Sequence, residues 1–271
     1  MTLDVQKAIS FVEEKGTELE RYRLNYLLGK ERDDEVPLRY MRRLQNADGG
    51  FPYEDEKGKV SCISNTTVNL SLMVELGLTK SDVCKKTVDY LLRVQGGDGG
   101  WDENEEITRY NPPFWNIPGD VKTKMWHTAD VCNYLIQLNL RKSEAVKKAT
   151  EFLLRNRDAE GKFAGFMHST WISIAVFGQL IGNDSEVVKK ALKVIEQNIS
   201  RIEDGAADFI WCLECFYVAG ISRDTPIVRR CIDTVVKLQR ENGAWTSGDG
   251  EKYSVSTTIN ALRALKMYKV W

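Results

Sequence analysis

The sequence lacks an excess of charge of either sign: 38 basic residues stand against 39 acidic ones in 271, a net charge of -1. Without a basic excess there is no electrostatic footprint for nucleic acid or an anionic membrane surface, and no nucleic-acid partner is expected. Cysteine is sparse and irregular, at positions 62, 84, 132, 212, 215 and 231. Met1 to Gly16 carries Asp4, Lys7, Glu13, Glu14 and Lys15, so no apolar secretory core can be drawn there. Together these features predict reduced thiols and a cytoplasmic location. The isolated pair Cys212 and Cys215 sits in an apolar run and reads as core packing, so no metal site is expected from it. Between Lys162 and Asp184 no residue is charged, but His168, Ser169, Thr170, Ser173 and Gln179 make this a buried helix rather than a transmembrane segment. There is no P-loop, Rossmann glycine fingerprint, HExxH or nucleophile elbow.

What is present is a repeat. Gln45-Asn-Ala-Asp-Gly-Gly-Phe51, Gln95-Gly-Gly-Asp-Gly-Gly-Trp101 and Gln239-Arg-Glu-Asn-Gly-Ala-Trp245 align without gaps, each with Gly four and an aromatic six residues after Gln. A weaker copy runs from Arg157 to Phe163, and a degenerate one lies around Arg201 to Ala207. The spacing, roughly 40 to 60 residues, is that of stacked helical pairs. Before each copy lies a charged amphipathic segment: Pro37 to Leu44, Ser81 to Val94, Ser143 to Arg155, Ser185 to Ile199 and Pro226 to Leu238. After each comes one poor in charge and rich in small polar residues: Asn65 to Leu76, His127 to Leu138, His168 to Leu180, Asp208 to Ala219 and Ser256 to Met267. The first kind has one wet face and the second none, which separates outer from inner helices. An opening pair, Leu3 to Glu14 and Thr17 to Leu28, completes six of each. The expected fold is all-α, a single double-layered α6/α6 toroid over 1–271, with an open solenoid as the alternative. Asn65, Ser169, Asp208 and Ser256 are read as caps at or beside inner helix starts. The connection from Trp101 to Trp126 is the long one, and Tyr110, Pro112, Pro113, Phe114, Trp115 and Pro118 mark it as a lid or plug.

The Gln-x-x-x-Gly-x-Trp/Phe copies resemble the QW repeats of the superfamily of squalene-hopene cyclase, oxidosqualene cyclase and the protein prenyltransferases. The resemblance implies a toroid with inner helix N-termini around a central cavity for an isoprenoid chain, and activity of the cyclase or transferase type. Two family motifs match incompletely. The cyclase signature Asp-x-Asp-Asp-Thr-Ala corresponds best to Lys124-Met-Trp-His-Thr-Ala129, where every acidic position is replaced. The zinc-binding Tyr-His-Thr segment of protein prenyltransferase β subunits is similar to Trp126-His127-Thr128, and Asp208 lies like their Asp-x-Cys, but Ile210 stands in place of the cysteine and the order is reversed. A zinc site is therefore not expected, and the cofactor stays unknown.

The candidate chemistry sits at the inner helix starts. The chain's two histidines, His127 and His168, both fall there, and each either shuttles protons or is a cap and cavity-edge group. Asp130, one turn after His127, reads as the carboxylate that orients its imidazole or as a simple complement to the helix dipole. Asp208 is a further candidate acid or base. Glu214, amid Trp211, Cys212, Leu213, Cys215 and Phe216, is either a neutral acid or half of an ion pair with an arginine of the first inner helix. Arg21 and Arg23 on that helix are expected to hold a diphosphate or to be exposed. Phe114, Trp115, Trp126, Trp171, Phe209 and Trp211 are candidates to line an apolar ligand's path or to be core. The leading expectation is an isoprenoid-active enzyme. A non-catalytic module for a lipid or other apolar ligand is the alternative, and a scaffold with a protein partner the third.

Overall fold

In the computed structural model, which describes residues 2–201, 205–248 and 250–271, helix follows helix. Twelve α-helices lie among the described residues: α1 Val5–Lys15, α2 Glu18–Leu27, α3 Glu35–Leu44, α4 Ile63–Glu75, α5 Asp82–Arg93, α6 Val121–Gln137, α7 Glu144–Arg155, α8 Met167–Ile181, α9 Glu186–Asn198, α10 Ala206–Val218, α11 Pro226–Lys237 and α12 Ser254–Met267. The only strands among them are the two-residue pair β1, Phe51–Pro52, and β2, Ser61–Cys62, antiparallel with Phe51 opposite Cys62.

The odd-numbered helices behave as the expected outer set. α5 buries Val83, Cys84, Thr87, Tyr90 and Leu91 on one side and leaves Lys85 and Lys86 exposed. Side-chain caps start several of them: Asp4 accepts from the Lys7 N–H, Ser81 from that of Cys84 and Ser143 from that of Val146. Pro226 opens α11, where its missing N–H costs nothing. The even-numbered helices from α4 onward are buried more evenly, and in α8 every residue from Ser169 to Phe177 is buried, whereas α2 buries only Tyr22 and Leu24.

Two expectations about the inner helices change. α6 begins at Val121, capped by Asp120, so His127 lies in its second turn rather than at a helix start. Asn65, Ser169, Asp208 and Ser256 are not N-caps: α4, α8, α10 and α12 follow Cys62, Phe166, Gly205 and Tyr253, none of which makes a side-chain cap. The first N–H groups of α4 find another acceptor, and it proves informative.

The repeat has one geometry in its three good copies. The glutamine Nε2 donates to the carbonyl of the glycine four residues on and to backbone at the start of another outer helix: Gln45 to Gly49 O and Val83 O, Gln95 to Gly99 O and Ala145 O, Gln239 to Gly243 O and Asp4 O. The aromatic N–H donates to a threonine of the next inner helix: Phe51 to Thr66, Trp101 to Thr128 and Trp245 to Thr258, with Phe163 of the weak copy donating to Thr170. Gly99 has φ +93°, and a Cβ there would collide with the Lys148 carbonyl of α7, so glycine is required twice over. The degenerate copy around Arg201 to Ala207 lies partly outside the described residues.

Packing divides the chain into two compact units. Within Leu38–Val194, α6 packs against α4, α7 and α8. In the other unit, formed by the chain up to Pro37 together with Ile195–Trp271, α12 packs against α1, α2 and α10, and α10 against α11. The opening helical pair thus meets the last helix. Gln239 accepts from the Asp4 N–H and donates to its carbonyl, so α1 follows the third copy in space as α5 and α7 follow the first two.

Candidate active site

Within Leu38–Val194 the long connection after Trp101 is tied down at both ends. Asp102 Oδ1 accepts from the N–H groups of Glu103 (2.8 Å) and Gly119 (3.1 Å). Asn104 caps a 3-10 turn over Glu105–Tyr110, and Tyr110 stacks on Tyr53 at 5.6 Å with the Lys59 ammonium over both rings. A second 3-10 turn, Phe114–Asn116, delivers Trp115 to the α6 start, where the Thr123 hydroxyl donates to its carbonyl. Of the aromatic residues expected to form a lid or plug, Phe114 is 73% exposed and Trp115 38%. The neighbouring Asn116 is buried, so this segment is anchored rather than loose.

Glu103 is the anchor. Its side chain is fully buried; Oε2 accepts from the Ile63 N–H at 2.7 Å and Oε1 from the Ser64 N–H at 2.8 Å, so a carboxylate takes the first orphan donors of α4. His127 Nε2 lies 3.3 Å from Oε1 of the same group and 3.0 Å from Asn116 Oδ1, while Asn116 Nδ2 donates to Ser64 Oγ. Burial pushes the Glu103 carboxyl up, but the charge and hydrogen bond of His127 and the Ser64 donors outweigh it, and its pKa lies below the usual range. The carboxylate beside His127 Nε2 is Glu103, not the Asp130 that the spacing on α6 suggested. The segment after Trp101 brings Glu103 both to the start of α4 and to His127 of α6.

Asp130 has a different environment. Its Oδ1 is buried and has no hydrogen-bond partner among the described residues. Burial pushes its carboxyl from 3.8 up to about 7, against the pull of His127 and His168. The two histidines that act on it belong to a set of aromatic contacts. Trp126 stacks on His127 at 5.1 Å and meets Trp115 at 5.7 Å and His168 at 5.9 Å. His168 meets Trp171 edge-on at 4.5 Å and Phe166 at 6.5 Å, and Phe166 meets Phe114 at 6.4 Å. Trp171 is buried to 1% exposure, and Trp126 and His168 are half-buried. The unit thus brings together Phe114, Trp115, Trp126, His127, Asp130, His168 and Trp171 from the sequence-derived set.

The remaining candidates belong to the other unit. On α10, Phe209 is buried, and Asp208 and Trp211 are half-buried. Glu214 pairs with Arg263 at 2.6 Å, an arginine of the last helix rather than the first inner one, because α12 is what packs beside α10. Arg23 donates to Asn260 at 2.6 Å, again toward α12. Arg21 is exposed and donates to the Glu13 carbonyl. Sequence reasoning missed Glu103 and Asn116. The signal for the first was an acidic residue two places after a repeat aromatic, where the other good copies have Tyr53 and Ser247.

No group of three or more His, Cys, Asp or Glu residues among the described residues could hold a metal ion. None of the helices described is long and apolar enough to cross a membrane. The six cysteines are all buried and free.

An all-α chain of alternating wet and buried helices, tied by a repeated Gln-Gly-aromatic unit, is a member of a known class: it belongs to the prenyltransferase alpha-alpha toroid domain family, whose model matches residues 22–170 and 185–270. No curated protein sequence matches it. Among solved structures it is similar to the type II terpene cyclase MstE from Scytonema in its apo form, with a TM-score of 0.65 and 14% identity over 96% of each chain. A protein from Actinoplanes matches with a TM-score of 0.63 and 14% identity over 97% of this chain and 98% of that one. A variant of MstE in complex with its substrate geranylgeranyl dihydroxybenzoate matches with a TM-score of 0.62 and 14% identity, over 97% of this chain and 96% of that one. At such identities the likeness shows the fold alone, an α/α toroid.

Proposed function

We propose that the protein is an isoprenoid-active enzyme of the terpene cyclase and prenyltransferase class, in which the Asp130 carboxyl exchanges a proton with a bound prenyl compound. The observation that carries this reading is the buried Asp130 Oδ1 without a partner, with a pKa of about 7 beside His127, His168 and an aromatic cluster. A carboxyl poised there is half ionised near neutral pH, which suits a proton acceptor. It is far too weak an acid to protonate an unactivated alkene, in keeping with the loss of every acidic position over Lys124 to His127. The chemistry it suits is removal of a proton from a cationic or otherwise activated carbon, with the faces of Trp126 and Trp171 favouring positive charge nearby. His127 and His168 are its proton-exchanging neighbours. Asp208 ranks behind them, and Glu214, paired with Arg263, behind Asp208. Within the same unit, Trp115 and Phe114 would contribute apolar contact to the chain; in the other unit, taken by itself, Phe209 and Trp211 are proposed as apolar ligand contacts and Arg23 as a charge for a polar head group. The same reading treats the Gln-x-x-x-Gly-x-aromatic copies as QW repeats, 1–271 as one toroid domain, and the protein as cytoplasmic.

The test is incubation with prenyl diphosphates, squalene and a geranylgeranylated dihydroxybenzoate, with and without magnesium, followed by mass spectrometry. Product from the wild type and none from Asp130→Asn is expected. Binding without conversion of any compound would replace the proposal with a non-catalytic module for an apolar ligand, the reading favoured by the replaced acidic positions.

A further inference from the structure

The hydrogen-bond directions around His127 specify more than its location. Glu103 presents carboxylate oxygens, which can only accept while ionised. Asn116 has its amide end engaged, since Nδ2 donates to Ser64 Oγ at 3.1 Å, so the atom it turns to His127 is Oδ1. His127 Nε2 therefore faces two acceptors, Glu103 Oε1 at 3.3 Å and Asn116 Oδ1 at 3.0 Å, in a site where the imidazole is 1% exposed and the carboxylate fully buried. A ring nitrogen between two acceptors carries the hydrogen. Capping α4 alone explains the bonds to the Ile63 and Ser64 N–H groups. It does not explain why the same oxygen that accepts from Ser64 also turns to the imidazole.

We propose that Glu103 is a positioning residue for this site: it holds His127 as the Nε2–H tautomer, so that Nδ1 is the ring atom left to gain and lose a proton. The role in proton exchange rests on the function proposed above, whereas the tautomer does not. No bond to carbon is made or broken in this step. A proton arriving on Nδ1 makes the imidazolium, whose Nε2–H stays on Glu103, and the proton leaves from Nδ1 again. Ser64, Asn116 and Glu103 together make the choice of atom, because Nε2 is the ring nitrogen that faces them and an unprotonated Nε2 would set its lone pair against a carboxylate.

The experiment is nitrogen-15 NMR of the imidazoles in the whole protein, a clean measurement because the chain has two histidines. His168→Gln removes the second signal and assigns the first. In the wild type, the neutral His127 imidazole is expected to carry a slowly exchanging proton on Nε2 and to show at Nδ1 the shift of an unprotonated nitrogen. Glu103→Gln has one acceptor oxygen for the α4 donors and turns its amide N–H toward the ring, so the tautomer ratio should move by about tenfold or more toward Nδ1–H. A wild-type His127 found as Nδ1–H or as an even mixture overturns the proposal, as does a Glu103→Gln protein with an unchanged ratio. Should Glu103→Gln fail to fold, the wild-type spectrum still decides the tautomer, and Glu103→Asp, which keeps the charge but retracts it by one methylene, should show a weakened preference. The two readings fail separately. A correct tautomer with no turnover of any prenyl compound leaves Glu103 in place and removes the proposed function, while turnover with a wrong tautomer does the reverse.

Discussion

Replacing Asp130 by asparagine tests whether a carboxyl is held without a partner in this unit. Its pKa stands at about 7 in the folded chain against 3.8 in the unfolded one. At 1.36 kcal/mol per pH unit this amounts to about 4 kcal/mol of folding free energy, an upper figure because the residue as a whole is half-buried although Oδ1 is not accessible. The sign follows from proton counts. Between the two pKa values the unfolded chain has lost its proton and the folded one has kept it, so stability falls as pH rises. Below the unfolded value both forms are neutral and the penalty vanishes; above the folded value both are charged and it is constant. Asparagine has the same shape and no charge at any pH. Urea unfolding of wild type and Asp130→Asn from pH 4 to pH 8.5 should therefore give a difference that grows in favour of the variant by up to ~1.4 kcal/mol per pH unit between about 4 and 7 and then levels. The buried amide carries its own cost of ~1 to 3 kcal/mol, which displaces the whole curve but leaves its slope. A difference that does not vary with pH, or one that favours the wild type increasingly as pH rises, would mean the carboxylate has a partner and would refute the argument.

Glu103→Ala should destabilise by ~3 to 5 kcal/mol in chemical denaturation, since it leaves the Ile63 and Ser64 N–H groups and the His127 Nε2–H buried around a cavity. Because the Glu103 pKa is held below 4.5, its stabilisation is complete above that value and is lost as pH falls through the folded one, so an acid-unfolding titration of Glu103→Gln should lack that component. Trp101→Ala should cost ~3 to 5 kcal/mol by thermal melting, as the fully buried indole donates to the Leu91 carbonyl and fills the seam between α5 and α6. Phe114→Ser, which alters a ring that is 73% exposed, should leave the melting temperature within a few degrees while weakening retention of a prenyl compound in equilibrium dialysis. Unchanged retention would remove Phe114 from the ligand's path.

Periodicity in the sequence was enough for the helix order and for the outer and inner sets, because the difference between one wet face and none is local to each segment. α5, α7 and α11 agree with the expected spans to within a residue or two at each end. The repeat likewise identified the ties between helices, since a glutamine, a glycine of positive φ and an aromatic at constant spacing make the same bonds each time they occur. The start of α6 was misplaced because the segment from Val121 to Trp126 carries Lys122 and Lys124 and looks like loop until the Asp120 cap is seen. The candidate site was legible only in part: His127, Asp130 and His168 stood out in the sequence, whereas Glu103, Asn116 and the pairings did not. His127 and Asp130 are one turn apart on a helix, and that spacing suggests a partnership which packing does not honour. The oxygen beside His127 comes from Glu103, 24 residues earlier, because the connection after Trp101 folds back over the start of α4. Glu214 finds Arg263 for the same kind of reason. Sequence spacing determines which side chains share a face of one helix; which carboxylate meets which cation is decided only when separate helices are packed, and that choice sets the charge and the hydrogen bonds around each side chain.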